Sequence, residues 1–245
     1  DDLKAFRVRK VFTAGRLIAE DGRVLIPLDD AAAGAPSHSI HLKPLAEDAL
    51  SLPVRTGKAR VIGIEPASLV TKSLVREVKT DDAGCFQSAL NPGLTKIAVI
   101  ERHKRTGKLG IGILEGYGLT GGAIATTISH DSHNIVVAGD NDPDMLLAVR
   151  ELADMGGGIV SVHGGAIRRL PLPIAGLMTS ADPQEVNAVL HDMLVAARAE
   201  LGIPEDVEPF MTLSFMALPV IPELKLTARG LFNVNTFSFV GVEAD

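Results

Sequence analysis

Six short apolar runs, at residues 59–64, 74–78, 95–101, 109–114, 123–128 and 135–138, constrain this chain more than any other feature of it. Runs this short, rich in Ile, Val and Leu and separated by turn residues, read as strands and not as helices. Connections such as Arg105-Thr106-Gly107-Lys108 and Leu119-Thr120-Gly121-Gly122 are short enough to close hairpins. A mainly antiparallel sheet is the economical expectation.

Two helices are signalled by their caps. Asp142 reads as an N-cap with Pro143 at the first helical position and an acidic first turn, and the helix runs through Leu146, Leu147, Val149 and Leu152 to Gly156-Gly157-Gly158. The second opens with Asp182-Pro183-Gln184-Glu185, where Glu185 can complete a capping box, and Gly202 closes it. Its stripe of Val186, Val189, Leu190, Met193, Leu194 and Ala197 has helical period, as on a helix packed by one face against a sheet. The opening segment, Phe6 to Ile26, alternates apolar and polar residues around Ala14-Gly15 and Asp21-Gly22, which predicts a small β meander. Residues 29–40, with Ala-rich sequence, Gly34 and Pro36, read as a linker, leaving units at 1–28 and 41–245. Proline-rich spans at Pro171–Pro173 and Pro219–Pro222 suit extended loops or edge strands. The fold class expected is α+β.

Composition narrows the partners. The net charge of -6 gives no whole-chain attraction for nucleic acid or an anionic membrane. The single cysteine, Cys85, excludes an internal disulfide and a Cys-rich zinc site, and fits a reducing, cytoplasmic setting. Apolar stretches are interrupted well before the roughly 20 residues that a bilayer span needs, so a soluble protein is expected. The first methionine is Met145, which points to a processed chain or a fragment.

Chemistry concentrates in His130-Asp131-Ser132-His133-Asn134, between two apolar strands. Two imidazoles at this spacing, beside a carboxylate, can ligate a divalent metal, fix one another's tautomers or shuttle a proton near neutral pH. The same residues can equally form a turn in which Asp131 and Asn134 satisfy backbone donors. Glu101 and Glu115 each end a strand and would join the cluster if the hairpins are adjacent; as exposed partners of nearby cations they would contribute little. Arg102 and His103 suit an anion. Glu223, in a stiff proline-bounded loop, offers a rigid carboxylate or a surface partner for Lys225. Met211, Phe215 and Met216 suit a core or the wall of an apolar pocket. Gly116-Tyr117-Gly118 and Gly121-Gly122 lack the pattern and following helix of a phosphate loop, so turn and packing roles account for them better. Serine-hydrolase elbows, zincin motifs and the cytidine-deaminase zinc pattern are absent from the sequence.

Several ordered segments carry a resemblance. Ile100-Glu-Arg-His103, Gly110-Ile-Gly-Ile-Leu114, Gly121 through Asn134, Met155-Gly-Gly-Gly158, Leu170 through Met178 and Pro209 through Thr227 resemble the C-terminal part of adenine deaminases of the amidohydrolase superfamily. The resemblance implies hydrolysis of adenine to hypoxanthine and ammonia by a metal-bound hydroxide, with manganese or iron as cofactor. It also implies that Phe6–Ile26 ends a small β domain. The metal ligands, including an H-x-H pair, then lie on a (β/α)₈ barrel before Asp1. This chain has neither the pair nor eight β/α units. On that reading His130, Asp131 and His133 contribute to the mouth of the active site as a proton relay, with His130 and His133 as possible accessory metal ligands. Asn134, Glu101 and Glu223 are the candidate substrate contacts. The implied partners are adenine, the barrel domain and further copies of the chain. The alternative is an accessory or oligomerisation domain without chemistry of its own.

Overall fold

The structure, a computed structural model, describes residues 4–27 and 36–244. They fall into two compact units, one within residues 1–34 and the other within 35–245. Most of the segment read as a linker lies outside the described residues.

In the first unit β1 (Lys10–Thr13), β2 (Arg16–Glu20) and β3 (Arg23–Val24) form the antiparallel meander that the alternation predicts. Ala14-Gly15 and Asp21-Gly22 have positive φ at both positions, 45° and 77°, then 47° and 81°. That is the geometry whose twist matches two-residue hairpins.

The second unit is built on an eight-stranded sheet. Its strands are β4 (Lys58–Ile64), β5 (Thr71–Glu77), β6 (Leu94–Ile100), β7 (Leu109–Glu115), β8 (Gly122–Thr126), β9 (Ile135–Gly139), β10 (Gly158–His163) and β11 (Ala166–Pro171), in the order β11-β10-β8-β9-β6-β7-β4-β5. Every neighbouring pair is antiparallel except β4 and β7, which run parallel. The mixed α+β fold with a mainly antiparallel sheet is therefore as expected. One connection differs: Leu119–Gly122 is not a hairpin, because β7 and β8 are separated in the sheet by β6 and β9.

The central strands are apolar along their whole length because both faces are covered. Ile97, Val99, Ile124, Val136 and Ala138 point to one face, with Met193, Leu213 and Leu226. Ala98, Ile100, Ala125, Ile135 and Val137 point to the other, where α1 (Asp142–Asp154) contributes Leu146, Val149 and Leu152. The first face is roofed by α2 (Pro183–Ala199), α3 (Pro209–Phe215) and a small antiparallel sheet of β12 (Leu224–Thr227), β13 (Gly230–Asn233) and β14 (Ser238–Val240). The proline-rich run at 171–173 starts at the end of edge strand β11, where a missing N–H costs the ladder least.

Helix boundaries follow the caps with one correction. Asn141, not Asp142, caps α1: its backbone is extended and its side-chain oxygen accepts the Asp144 N–H at 2.9 Å. Asp142 instead meets the buried Lys96 ammonium at 2.5 Å. Asp182 caps α2 as predicted, accepting from Gln184 N–H at 2.7 Å. Val189 leaves the predicted stripe for solvent, while Ala196 joins Met193 and Ala197 in the core. Among the described residues no helix is long and apolar enough to cross a membrane.

Candidate functional site

The residues from Thr127 to Asn134 join β8 to β9 at one end of the sheet. Each part of this turn is tied to a different element. Thr127 Oγ1 donates to Gly176 O at 2.5 Å and accepts from Gly158 N at 2.8 Å. His130 N donates to Ser214 O of α3 at 2.9 Å, and His133 N to Ser129 O at 2.6 Å. His133 has φ of 48°, the left-handed region in which a tight reversal can be made.

Arg102 holds the turn from behind. It is 1% exposed. Its Nε donates to His133 O, one terminal nitrogen to Ser39 O and Oγ at 3.1 Å each, and the other to Ala175 O at 3.0 Å. A guanidinium is a rigid fork of five donors, suited to joining three chain segments at one point. Burial pushes its pKa down. The arginine that sequence reasoning offered to an anion is spent on backbone carbonyls.

The sheet brings Glu101 to the same end, because Ile100 pairs with Ile135. Burial alone would raise its pKa. Bonds from the Thr106 N–H and hydroxyl and from the His103 and Lys104 N–H groups, at 2.6 to 3.0 Å, overcome that and hold it at about 2. Glu101 thus organises its own turn, which presents His103 Nε2 to Ser132 O at 2.9 Å.

His130 and His133 share one wall of a cleft of about 340 Å³. Its apolar lining comes from Ile128, Ile159, Leu190, Phe210, Met211 and Phe215. Thr126, Glu208 and Ser214 add polar edges. The His130 ring stacks on Phe215, 5.3 Å between centroids and 25° from parallel, and its Nδ1 meets the Asp131 carboxylate. Desolvation, then the charge of Arg102, lowers the pKa of His133 below its ordinary value. A neutral imidazole results at neutral pH. Its buried Nδ1 has no partner among the described residues, and neither has Asn134 Oδ1.

The other candidates lie elsewhere. Glu115 ends β7 opposite Leu94, at the far end of the sheet, in a bidentate pair with Arg76 at 2.6 and 2.8 Å. Glu223 accepts from Ser73 N–H at 2.9 Å beside edge strand β5, also at the far end. The N–H groups of Gly121 and Gly122 are taken by the Asp140 carboxylate at 2.5 and 3.0 Å, which leaves no cradle for a phosphate. Among the described residues no three His, Cys, Asp or Glu side chains converge to hold a metal ion. His130, Asp131 and His133 therefore do not make a metal centre by themselves.

A family profile for the adenine deaminase C-terminal domain matches residues 68–238. The chain belongs to that family. An adenine deaminase of Nitratidesulfovibrio vulgaris Hildenborough is 57% identical over 243 residues, covering 99% of this chain and 42% of the relative. Adenine deaminase 2 of Carboxydothermus hydrogenoformans is 45% identical over 99% of this chain and 42% of its own length. An adenine deaminase of Geobacillus kaustophilus is 43% identical over the whole chain and 43% of its length. The chain thus spans about two fifths of the relatives it matches.

The matched span of this adenine deaminase C-terminal domain contains the whole cleft. Four of its parts, Ile159, Glu208, Phe210 and Ser214, were not singled out in the sequence. Ile159 belongs to β10, hidden behind a glycine run that reads as a helix stop. Phe210 and Ser214 belong to α3, which Glu208 caps by accepting the Met211 N–H, with Pro209 at the first helical position. That Glu-Pro pair was the available signal.

Proposed function

We propose that the complete protein is a metal-dependent adenine deaminase, converting adenine and water to hypoxanthine and ammonia, and that this chain is its C-terminal domain. The observation that carries the reading is 57% identity across 99% of the chain to a protein named adenine deaminase. The metal, manganese or iron, is held by a barrel elsewhere in the protein; when bound it supplies the activated hydroxide. The single cysteine suits a cytoplasmic enzyme, and the chain assembles as a homo-oligomer.

In this proposal the His130–Asn134 turn faces the mouth of the active site. His130 with Asp131 relays protons there, because the carboxylate orients the imidazole. Neutral His133 lines the cleft beside them, and Asn134 completes the turn. Glu101 acts by shaping the adjoining turn. Glu223, at the far end of the sheet, takes no part.

A second reading, an accessory domain that docks on the barrel or builds the oligomer, is favoured by exposed apolar side chains at Met178, Val195 and Met211. One experiment separates the two. Ammonia release from adenine and bound metal are measured on the complete protein, on this chain, and on complete His130→Ala and His133→Ala variants. The deaminase reading expects turnover and metal in the complete protein, neither in this chain alone, and reduced turnover or metal content in the variants. Unchanged variants leave the accessory reading; turnover with stoichiometric metal by this chain alone overturns the dependence on a barrel.

A further inference from the structure

A strand at the edge of a sheet leaves a row of N–H and C=O groups without partners, so natural edges are covered or charged. The larger unit follows that rule at three edges. β5 carries Lys72, Arg76 and Glu77; its Val75 O accepts from Arg76 Nη1 at 3.0 Å, and its Ser73 N–H donates to Glu223 at 2.9 Å. β11 carries Arg168, Arg169 and Pro171. The chain entering β12 is tied to the start of β5, with Thr71 N–H on Pro222 O at 2.9 Å and Thr71 Oγ1 on Leu224 O at 2.8 Å. β14 breaks the rule. From Gly230 to Val242 the chain has no charged residue and no proline, and no described strand pairs beyond β14 in its sheet.

The ladder fixes which groups of β14 face outward. Val234 N–H donates to Glu223 O at 2.8 Å, so Val234 and Phe232 turn their backbone groups toward β12, and Leu231 and Asn233 turn theirs toward β14. Their partners Val240 and Ser238 face inward, which leaves the Phe239 N–H and C=O on the open side. The rings of Phe239 and Phe237 are 42% and 77% exposed. Phe232 meets both edge-on at 5.2 Å, and the Arg229 guanidinium lies 4.5 Å over Phe239. Aromatic rings with an arginine are the composition of interface centres. Charge complementarity selects the occupant. Arg229, the charge beside the patch, repels the Lys72–Arg76 and Arg168–Arg169 edges of another copy, whereas the uncharged β14 of another copy meets no such cost. Laid antiparallel about a twofold axis through Phe239, the two strands exchange both Phe239 bonds and set the two rings side by side as a cross-strand aromatic pair. The contact is isologous, so it closes at two copies.

We infer that β14 is a dimerisation strand: two copies of this chain pair β14 antiparallel, each Phe239 opposite its counterpart, with Phe232 and Phe237 packed around them. The inference rests on the homo-oligomer reading and names its interface.

The test is sedimentation equilibrium of the complete protein as wild type, Phe239→Glu, Phe237→Ser and Val75→Glu, with circular dichroism confirming the fold. Phe239→Glu sets two carboxylates directly opposite each other across the axis, a destabilising pair. It should raise the dimer dissociation constant about tenfold or more, and Phe237→Ser should raise it in the same direction should Phe239→Glu not fold. Val75→Glu, on the charged edge β5, should leave it unchanged. Phe239→Cys should give a disulfide-linked dimer on oxidation that wild type does not, because opposed residues of such a pair have Cα atoms about 5.5 Å apart, within disulfide reach. Monomeric wild type would overturn this inference together with the homo-oligomer reading; exchange protection of the Phe239 N–H in that monomer would show that another part of the same protein covers the strand. An oligomer left intact by the folded Phe239 and Phe237 variants, or a Phe239→Cys variant that does not cross-link, would overturn the strand pairing and leave the homo-oligomer reading standing.

Discussion

At the scale of single residues, Arg102 is the side chain on which the candidate site depends. It is buried, and none of its hydrogen bonds among the described residues goes to a carboxylate. Its stability therefore comes from the carbonyls of His133, Ser39 and Ala175, charge-assisted bonds each stronger than a neutral pair. Arg102→Met should leave those carbonyls without their donor and destabilise the fold by about 3 kcal/mol, at about 1–3 kcal/mol for each buried unsatisfied group. That corresponds to a fall in melting temperature of about 6–12 °C for a chain of this size. Arg102→Lys should recover part of it, because an ammonium cannot reproduce the fork. Thermal unfolding of the three proteins checks this; an unchanged Arg102→Met variant would show that the clamp is idle. The residue type was legible in the sequence but its direction was not. Glu101-Arg102-His103 reads as an exposed strand end until the segments carrying Ser39 and Ala175 are folded over it.

At the scale of elements, the β12–β13 hairpin presses on β7 where β7 has no side chain. A Cβ at Gly110 would lie 2.0 Å from Thr227 O and 2.9 Å from Gly230 N, both backbone atoms. Side-chain rotation cannot relieve such a contact, so the hairpin would have to lift from the sheet. Gly110→Ala should lower stability by at least the roughly 1–3 kcal/mol of ordinary overpacking. Gly241→Ala, whose nearest contact would be 3.6 Å away, should stay within about 0.5 kcal/mol. Urea unfolding midpoints compare them, and equal midpoints would refute the close approach. The hairpin itself escaped sequence reading because the preceding Pro219–Pro222 suits an extended loop or an edge strand equally. Its strands are short and gain their ladder only against one another.

At the scale of the whole molecule, the two ends of the acid range report different groups. His133 has a lowered pKa in the fold, so its contribution is present above the unfolded value near 6.5 and is lost as pH falls below it. Glu101 also has a lowered pKa; its contribution is present above 4.5 and is lost as pH falls toward about 2. Urea midpoints between pH 7.5 and 5.5 should therefore fall less in His133→Gln than in wild type, and those below pH 4.5 less in Glu101→Gln. A profile unaltered by either substitution would mean that the corresponding group does not sense the fold. What the sequence determined unaided is local: the paired positive-φ turns of the meander, the six strand runs, the proline-marked helix starts, and the segments that place the chain among adenine deaminase C-terminal domains. These depend on sterics and hydrogen bonds within a few residues, which the residue types at those positions settle. Tertiary structure alone decided that β7 and β8 are strangers in the sheet, that Arg102 turns inward, and that Glu223 sits at the far end from His130. It also decided that β10 and α3 close a cleft over the histidines. Those outcomes join residues far apart in the chain, and only the competition to bury both faces of one sheet selects among the pairings that local signals allow.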